Sequence, residues 1–113
     1  MKIKLKKFKI LKSTNDTALK LIKKNSSEPT LIITEKQTQG KGRMGKKWIS
    51  KKGNLFFSIF FKLDKKKINY RQFAVLNAFI LKKIISKKIS KDIRIKWPND
   101  LLFEKQKICG ILQ

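Results

Sequence analysis

Two stretches of this chain hold residue types that can do chemistry at close quarters: Gly40-Lys41-Gly42-Arg43-Met44-Gly45-Lys46-Lys47-Trp48, and Lys96-Trp97-Pro98-Asn99-Asp100 further on. In the first, the glycines let backbone approach an anion closely while Lys41, Arg43, Lys46 and Lys47 supply countercharge. In the second, Pro98 sets the chain direction, Trp97 is expected to anchor a strand end in the core, and Lys96 is carried out where its ammonium can meet an anion. Together they suggest a carboxylate or phosphate ligand, each charge-assisted hydrogen bond to it contributing roughly 1.5–3 kcal/mol. Each also has a plainer reading, a solvated basic loop for the first and a type I turn with a solvated lysine for the second.

The glycine loop also matches two better-known phosphate motifs on paper. Gly40 to Gly45 fits Gly-x-Gly-x-x-Gly, and Gly40 to Lys46 fits the opening of a P-loop. A P-loop then needs Ser or Thr to reach Mg2+, where this chain has Lys47, and a dinucleotide fingerprint must open a helix, whereas residues 48–54 show no helical period.

Composition narrows the chemistry further. There is no histidine, and Cys109 is the sole cysteine, so disulfide frameworks, His/Cys zinc sites, Ser-His-Asp triads and Cys-His dyads drop out together. No metal-ligating set is expected, and Cys109, between Ile108 and Gly110, reads as a small buried hydrophobe. The net charge of +23 would suit a polyanionic partner. Only Arg43, Arg71 and Arg94 among the 30 basic residues are arginine, however, and the lysines run from Lys2 to Lys107 without forming a stripe. Specific nucleic-acid recognition is therefore not expected. The apolar runs Leu55–Phe61 and Phe73–Leu81 are too short to span a membrane, and the basic start opens into no secretory signal, so a cytoplasmic chain is expected.

The elements that must position these residues follow from periodicity. Residues 2–11 alternate, with a slip of phase at Lys6-Lys7, which predicts a bulged or two-part strand. Ser13 and Asp16 predict a helix start, with the stripe Ala18, Leu19, Leu21 and Ile22 and an end at Asn25 to Pro29. Thr30 to Lys36 predicts an inner strand, and Gln37 to Lys47 a loop. Asn54 to Leu63 is apolar on both faces, which predicts a central strand covered on two sides. Tyr70 to Ile89 predicts the longest helix, with Phe73, Leu76, Asn77, Ile80 and Ile84 on its core face. A strand at Ile93–Trp97 and a hairpin of Leu101–Phe103 with Ile108–Leu112 about Glu104 to Lys107 complete the order β-α-β-loop-β-α-β-β-β. This is an α+β domain with a mixed sheet and one core, and its last strand is expected to be cut short at Gln113.

Ser13-Thr14-Asn15, Gln37, the Gly40–Trp48 loop, Lys96 to Asp100, and Lys107-Ile108-Cys109-Gly110-Ile111-Leu112, in this order, resemble the catalytic domain of biotin protein ligases over nearly the whole chain. The resemblance implies a mixed β-sheet flanked by helices, like that of class II aminoacyl-tRNA synthetases and biotin ligases. It implies ATP with Mg2+ as co-substrate and biotin as substrate. It implies biotinoyl-AMP as the activated intermediate and a lysine of a biotin carboxyl carrier protein as the acceptor. By position, Ser13, Thr14, Asn15, Gln37, Lys41, Gly42, Arg43, Lys96, Gly110 and Ile111 would contact biotin. Gly40 to Lys46, Trp48, Asn99 and Asp100 would hold the nucleotide or intermediate, and Arg43 and Lys96 would be catalytic. The family usually has Arg where Lys41, Met44 and Lys46 stand, so only Arg43 keeps a bidentate fork in the loop. No N-terminal winged helix and no C-terminal SH3-like domain are expected within residues 1–113, and this stretch alone would be weakly active or inactive. A homodimer is compatible with the resemblance. The rivals are a lipoate or octanoate ligase or transferase of the same superfold, and an inactive basic binding module.

Overall fold

The computed structural model describes residues 1–64, 66–89 and 92–113, and its contacts gather into two compact units, Met1–Lys62 and Leu63–Gln113. In the first unit, β1 (Lys4–Leu11), α1 (Thr14–Lys23) and β2 (Thr30–Gln37) form a strand-helix-strand unit with β1 and β2 parallel, from Lys4 opposite Thr30 to Leu11 opposite Gln37. A later strand pairs antiparallel to the other edge of β2, with Thr30 opposite Phe60 and Thr34 opposite Phe56. The mixed α+β sheet expected from sequence is thus present, with β2 at its centre as expected.

β2 earns that place by its β-branched residues. Thr30, Ile32 and Thr34 are all buried, on the face that α1 covers. Burying Ile32 contributes about 1.5–3 kcal/mol. The two threonines tolerate burial because their hydroxyls donate to backbone, Thr30 to the Glu28 carbonyl at 2.9 Å and Thr34 to the Lys36 carbonyl at 3.1 Å.

α1 begins and ends where the sequence says. Ser13 is extended and its Oγ accepts the Asp16 N–H at 3.2 Å, a cap that contributes about 1 kcal/mol. At the other end Asn25 takes φ 59°; its N–H donates to the Ile22 carbonyl and the Ser26 N–H to Leu21, which is a Schellman closure.

Between β2 and the next long strand the chain is more ordered than the expected loop. β3 (Gly40–Lys41) and β4 (Lys47–Trp48) form a small hairpin, with a 3-10 turn at Arg43–Gly45 and a 2.7 Å hydrogen bond from Gly42 N–H to the Lys46 carbonyl closing its tip. Met44 and Gly45 are both left-handed there, φ 56° and 71°.

Two further expectations for this unit are corrected. β1 keeps one register throughout and has no bulge. Among the described residues it is paired on one edge only, and Leu5, Phe8 and Ile10 stay partly exposed, so no single buried face demands one apolar phase. β5 (Phe56–Phe60) is an edge of the three-stranded sheet, not its centre; Phe56 is buried but Phe57 and Ile59 are 42% and 43% exposed.

The second unit holds α2 (Tyr70–Lys88) and an antiparallel meander of β6 (Arg94–Lys96), β7 (Asp100–Phe103) and β8 (Gln106–Gly110). Asn69 caps α2 by accepting the Arg71 N–H at 3.0 Å. The helix is where it was expected, but its buried face is turned: Ala78 is fully buried while Leu76, Ile80 and Ile84 are exposed. The helix is apolar on more than one side, so periodicity alone cannot choose which side packs. Trp97 is 76% exposed and does not anchor the core; Ile93 and Leu101 do that, both essentially inaccessible. The last hairpin turns on two residues, Glu104 and Lys105, both at positive φ as a type I′ turn requires, so β8 starts at Gln106, earlier than expected.

Candidate substrate site

The residues singled out by sequence fall into two groups, one in each unit. In the first, the N-terminus of α1 meets the C-terminal end of β2. Ser13 and Thr14 are nearly inaccessible, at 1% and 4%. The Thr14 backbone N–H donates to Gln37 Oε1 at 2.8 Å, and the Thr14 hydroxyl donates to the same oxygen at 3.2 Å. Ser58 on β5 donates its hydroxyl to Thr14 Oγ1 at 2.9 Å. On the other side Gln37 Nε2 donates to Ser50 Oγ at 3.1 Å, and Ser50 donates to the Trp48 carbonyl at 3.4 Å. Ser13, Thr14, Gln37 and Trp48 are therefore brought together. Asn15, the second residue of the same helix, is half-buried beside them.

Gly40 plays a different part from the flexible loop glycine of the sequence reading. It is buried, and a Cβ there would lie 2.7 Å from both Ser50 Oγ and the Trp48 carbonyl, and 3.0 Å from Gln37 Nε2. Only a glycine lets the hairpin close against Gln37.

The basic side chains of the hairpin diverge. Lys41 Nζ is paired to Asp16 of α1 at 2.9 Å, and Arg43, Met44, Gly45 and Lys46 lie exposed at the tip. Gly42 is half-buried.

In the second unit Lys96 lies opposite Asp100 across β6 and β7, and Asp100 lies opposite Gly110 across β7 and β8. Asn99 clamps the open end: its Nδ2 donates to the Ile111 carbonyl and the Ile111 N–H donates to the Asn99 carbonyl, both at 2.9 Å. Lys96, Asn99, Asp100, Gly110 and Ile111 thus form one cluster. The Asp100 carboxylate is taken by Lys107 at 2.9 Å, which leaves the exposed Lys96 ammonium without an anionic partner among the described residues. Burial, reinforced by Asp100 and opposed by Lys107, pushes the Cys109 thiol up from its ordinary value, so it stays protonated and unreactive at neutral pH.

Sequence reading passed over Ser50, Ser58 and the second role of Asp16. For Ser58 a clue was present, a hydroxyl interrupting the apolar run Leu55–Phe61; Ser50 had none, because its role depends on the hairpin fold. Two open hollows of about 290 and 320 Å3 lie at Ile22 to Ser27 with Phe60 to Lys62, and at Lys2, Lys4, Glu28 and Pro29. Neither is lined by any of the site residues above. Among the described residues no helix is long and apolar enough to cross a membrane.

Chemically, the first group is a hydrogen-bonding cradle suited to a polar head group, and the second offers a cation at a rigid turn. Residues 7–113 match the family model described as the biotin/lipoate A/B protein ligase family. The bifunctional ligase/repressor BirA of Bacillus subtilis is 36% identical over 104 residues, which cover 91% of this chain and 32% of that protein. The biotin--[acetyl-CoA-carboxylase] ligase of Paracoccus denitrificans is 30% identical over 102 residues, covering 88% of this chain and 42% of that one. Among solved structures, the Helicobacter pylori biotin acetyl coenzyme A carboxylase synthetase with bound biotinylated ATP superposes with TM-score 0.85 at 32% identity, over 98% of this chain and 54% of that chain. The Aquifex aeolicus biotin protein ligase in complex with biotin and ATP gives 0.80 at 32% identity, over 96% and 45%. The chain spans about a third of the length of the BirA proteins and about half that of these solved structures. It belongs to the biotin/lipoate A/B protein ligase family, and its likeness within that family is to the catalytic domain of the biotin protein ligases.

Proposed function

We propose that this chain carries the biotin-recognising part of a cytoplasmic, ATP-dependent biotin ligase that activates biotin as biotinoyl-AMP and passes it to a lysine of a biotin carboxyl carrier protein. The observation that carries the reading is the half-buried Thr14–Gln37 contact at the start of α1, whose hydroxyl and amide match a polar ring system better than a linear acyl chain. The biotin carboxylate attacks the α-phosphate of ATP and expels pyrophosphate. The carrier amine then attacks the mixed anhydride and expels AMP. Neither step needs a protein nucleophile, which suits a chain without histidine and with a protonated cysteine.

In this reading Lys96 offsets the charge of carboxylate and phosphate as they approach. Arg43 closes over the intermediate. Both roles are electrostatic and preorganised. No resident magnesium site is assigned: among the described residues no three acidic, histidine or cysteine groups cluster, and Asp16 and Asp100 are held in ion pairs. Magnesium would enter on the phosphates of ATP.

The test uses radiolabelled ATP and biotin. In a full-length enzyme that contains this stretch, Lys96→Ala is expected to lower biotinoyl-AMP formation about a hundredfold, the usual loss for one preorganised donor. Arg43→Ala is expected to form the intermediate but release it into solution. Wild-type formation and retention in both variants would contradict these roles.

A further inference from the structure

We propose that Ser50 and Ser58 are positioning residues that hold Thr14 and Gln37 in a single hydrogen-bonding pattern, so that Gln37 presents an amide N–H, and not its oxygen, to a bound head group. The inference rests on the biotin reading for its ligand, but not for its geometry. The Thr14 backbone N–H can only donate, so the Gln37 atom facing it at 2.8 Å must be the amide oxygen. The Thr14 hydroxyl takes that oxygen's remaining lone pair at 3.2 Å. Because Ser58 donates into Thr14 Oγ1 at 2.9 Å, the Thr14 proton is directed toward Gln37. The Gln37 nitrogen must then face Ser50, which accepts one of its two N–H groups and passes its own proton to the Trp48 carbonyl.

Every proton in this chain of five groups runs one way, and one Gln37 N–H is left over. That N–H is the donor offered to a ligand acceptor. Gly40 admits the arrangement, since any side chain there would displace both Ser50 and the Gln37 amide.

The experiment has two arms. In the ligand-free protein, the Gln37 side-chain amide, identified by its loss in Gln37→Ala, should give a resolved and slowly exchanging pair of proton resonances. Ser50→Ala and Ser58→Ala should each bring it toward the random-coil shifts and fast solvent exchange of an exposed glutamine amide, and an unchanged pair in both variants would overturn the proposal. In calorimetry, each variant should bind biotin about tenfold more weakly, a coupling typical of one network. Ser58→Thr should restore affinity. In a Gln37→Ala background, Ser50→Ala should cost nothing further; an undiminished additional loss would mean a merely structural serine and would also overturn the proposal. Absence of biotin binding by the wild type would defeat the biotin reading alone, with the amide resonances still deciding the relay.

Discussion

Gly40 shows at the residue scale how a motif can be right for the wrong reason. Its place among the loop glycines suggested backbone left free to approach an anion, yet the absent side chain is needed for packing against Ser50, Trp48 and Gln37. Gly40→Ala should therefore destabilise the fold by about 1–3 kcal/mol, as overpacking does, and should disturb Gln37 with it. Thermal melts of the variant beside Gly45→Ala check this. Gly45 has open space around it but a left-handed φ of 71°, so its cost is conformational and local to the hairpin tip. A variant at position 40 as stable as wild type would contradict the packing role. The site residues themselves were legible in sequence because their types are unusual in combination. Ser50 and Ser58 were not, because a serine has no chemistry worth marking until a fold places it beside an amide.

At the scale of elements, the caps and turns were the readable part. Ser13 with Asp16, Asn25 before Pro29, and the Pro98-Asn99-Asp100 turn each act through local backbone chemistry, and each stands where expected. Faces and neighbours were less readable. The apolar residues of β5 and α2 outnumber what one face can bury, so sequence could not say that β5 is an edge or that α2 turns Ala78, not Leu76, inward. The basic hairpin was read as a loop because two-residue strands leave no period. Its tie to α1 is the Lys41–Asp16 pair, partly exposed on both sides. Asp16→Asn should thus cost less than about 1 kcal/mol in global stability, while amide exchange at Gly42 and Trp48 quickens. Unchanged exchange at those two amides would show that the pair does not hold the hairpin.

For the whole molecule, charge dominates. Thirty basic residues face seven acidic ones, and the ion pairs among the described residues include Lys4–Glu28, Lys41–Asp16 and Lys107–Asp100. Repulsion between lysines then outweighs attraction, and screening should help the folded state. The melting temperature should rise as salt goes from about 10 mM to about 300 mM, over which the Debye length falls from about 30 Å to under 10 Å. A flat or falling trend would mean that the charges are too far apart to matter. The same excess of lysine is what first suggested a nucleic-acid partner, whereas the function proposed above takes a small-molecule acid at the Thr14–Gln37 cradle. The central claim is that this cradle recognises biotin, and calorimetric titration with biotin and, separately, lipoate at physiological salt tests it most directly. The account predicts saturable biotin binding that Gln37→Ala weakens at least about tenfold, with no heat from lipoate. Equal binding of both acids, or none by a protein that melts cooperatively, would contradict it.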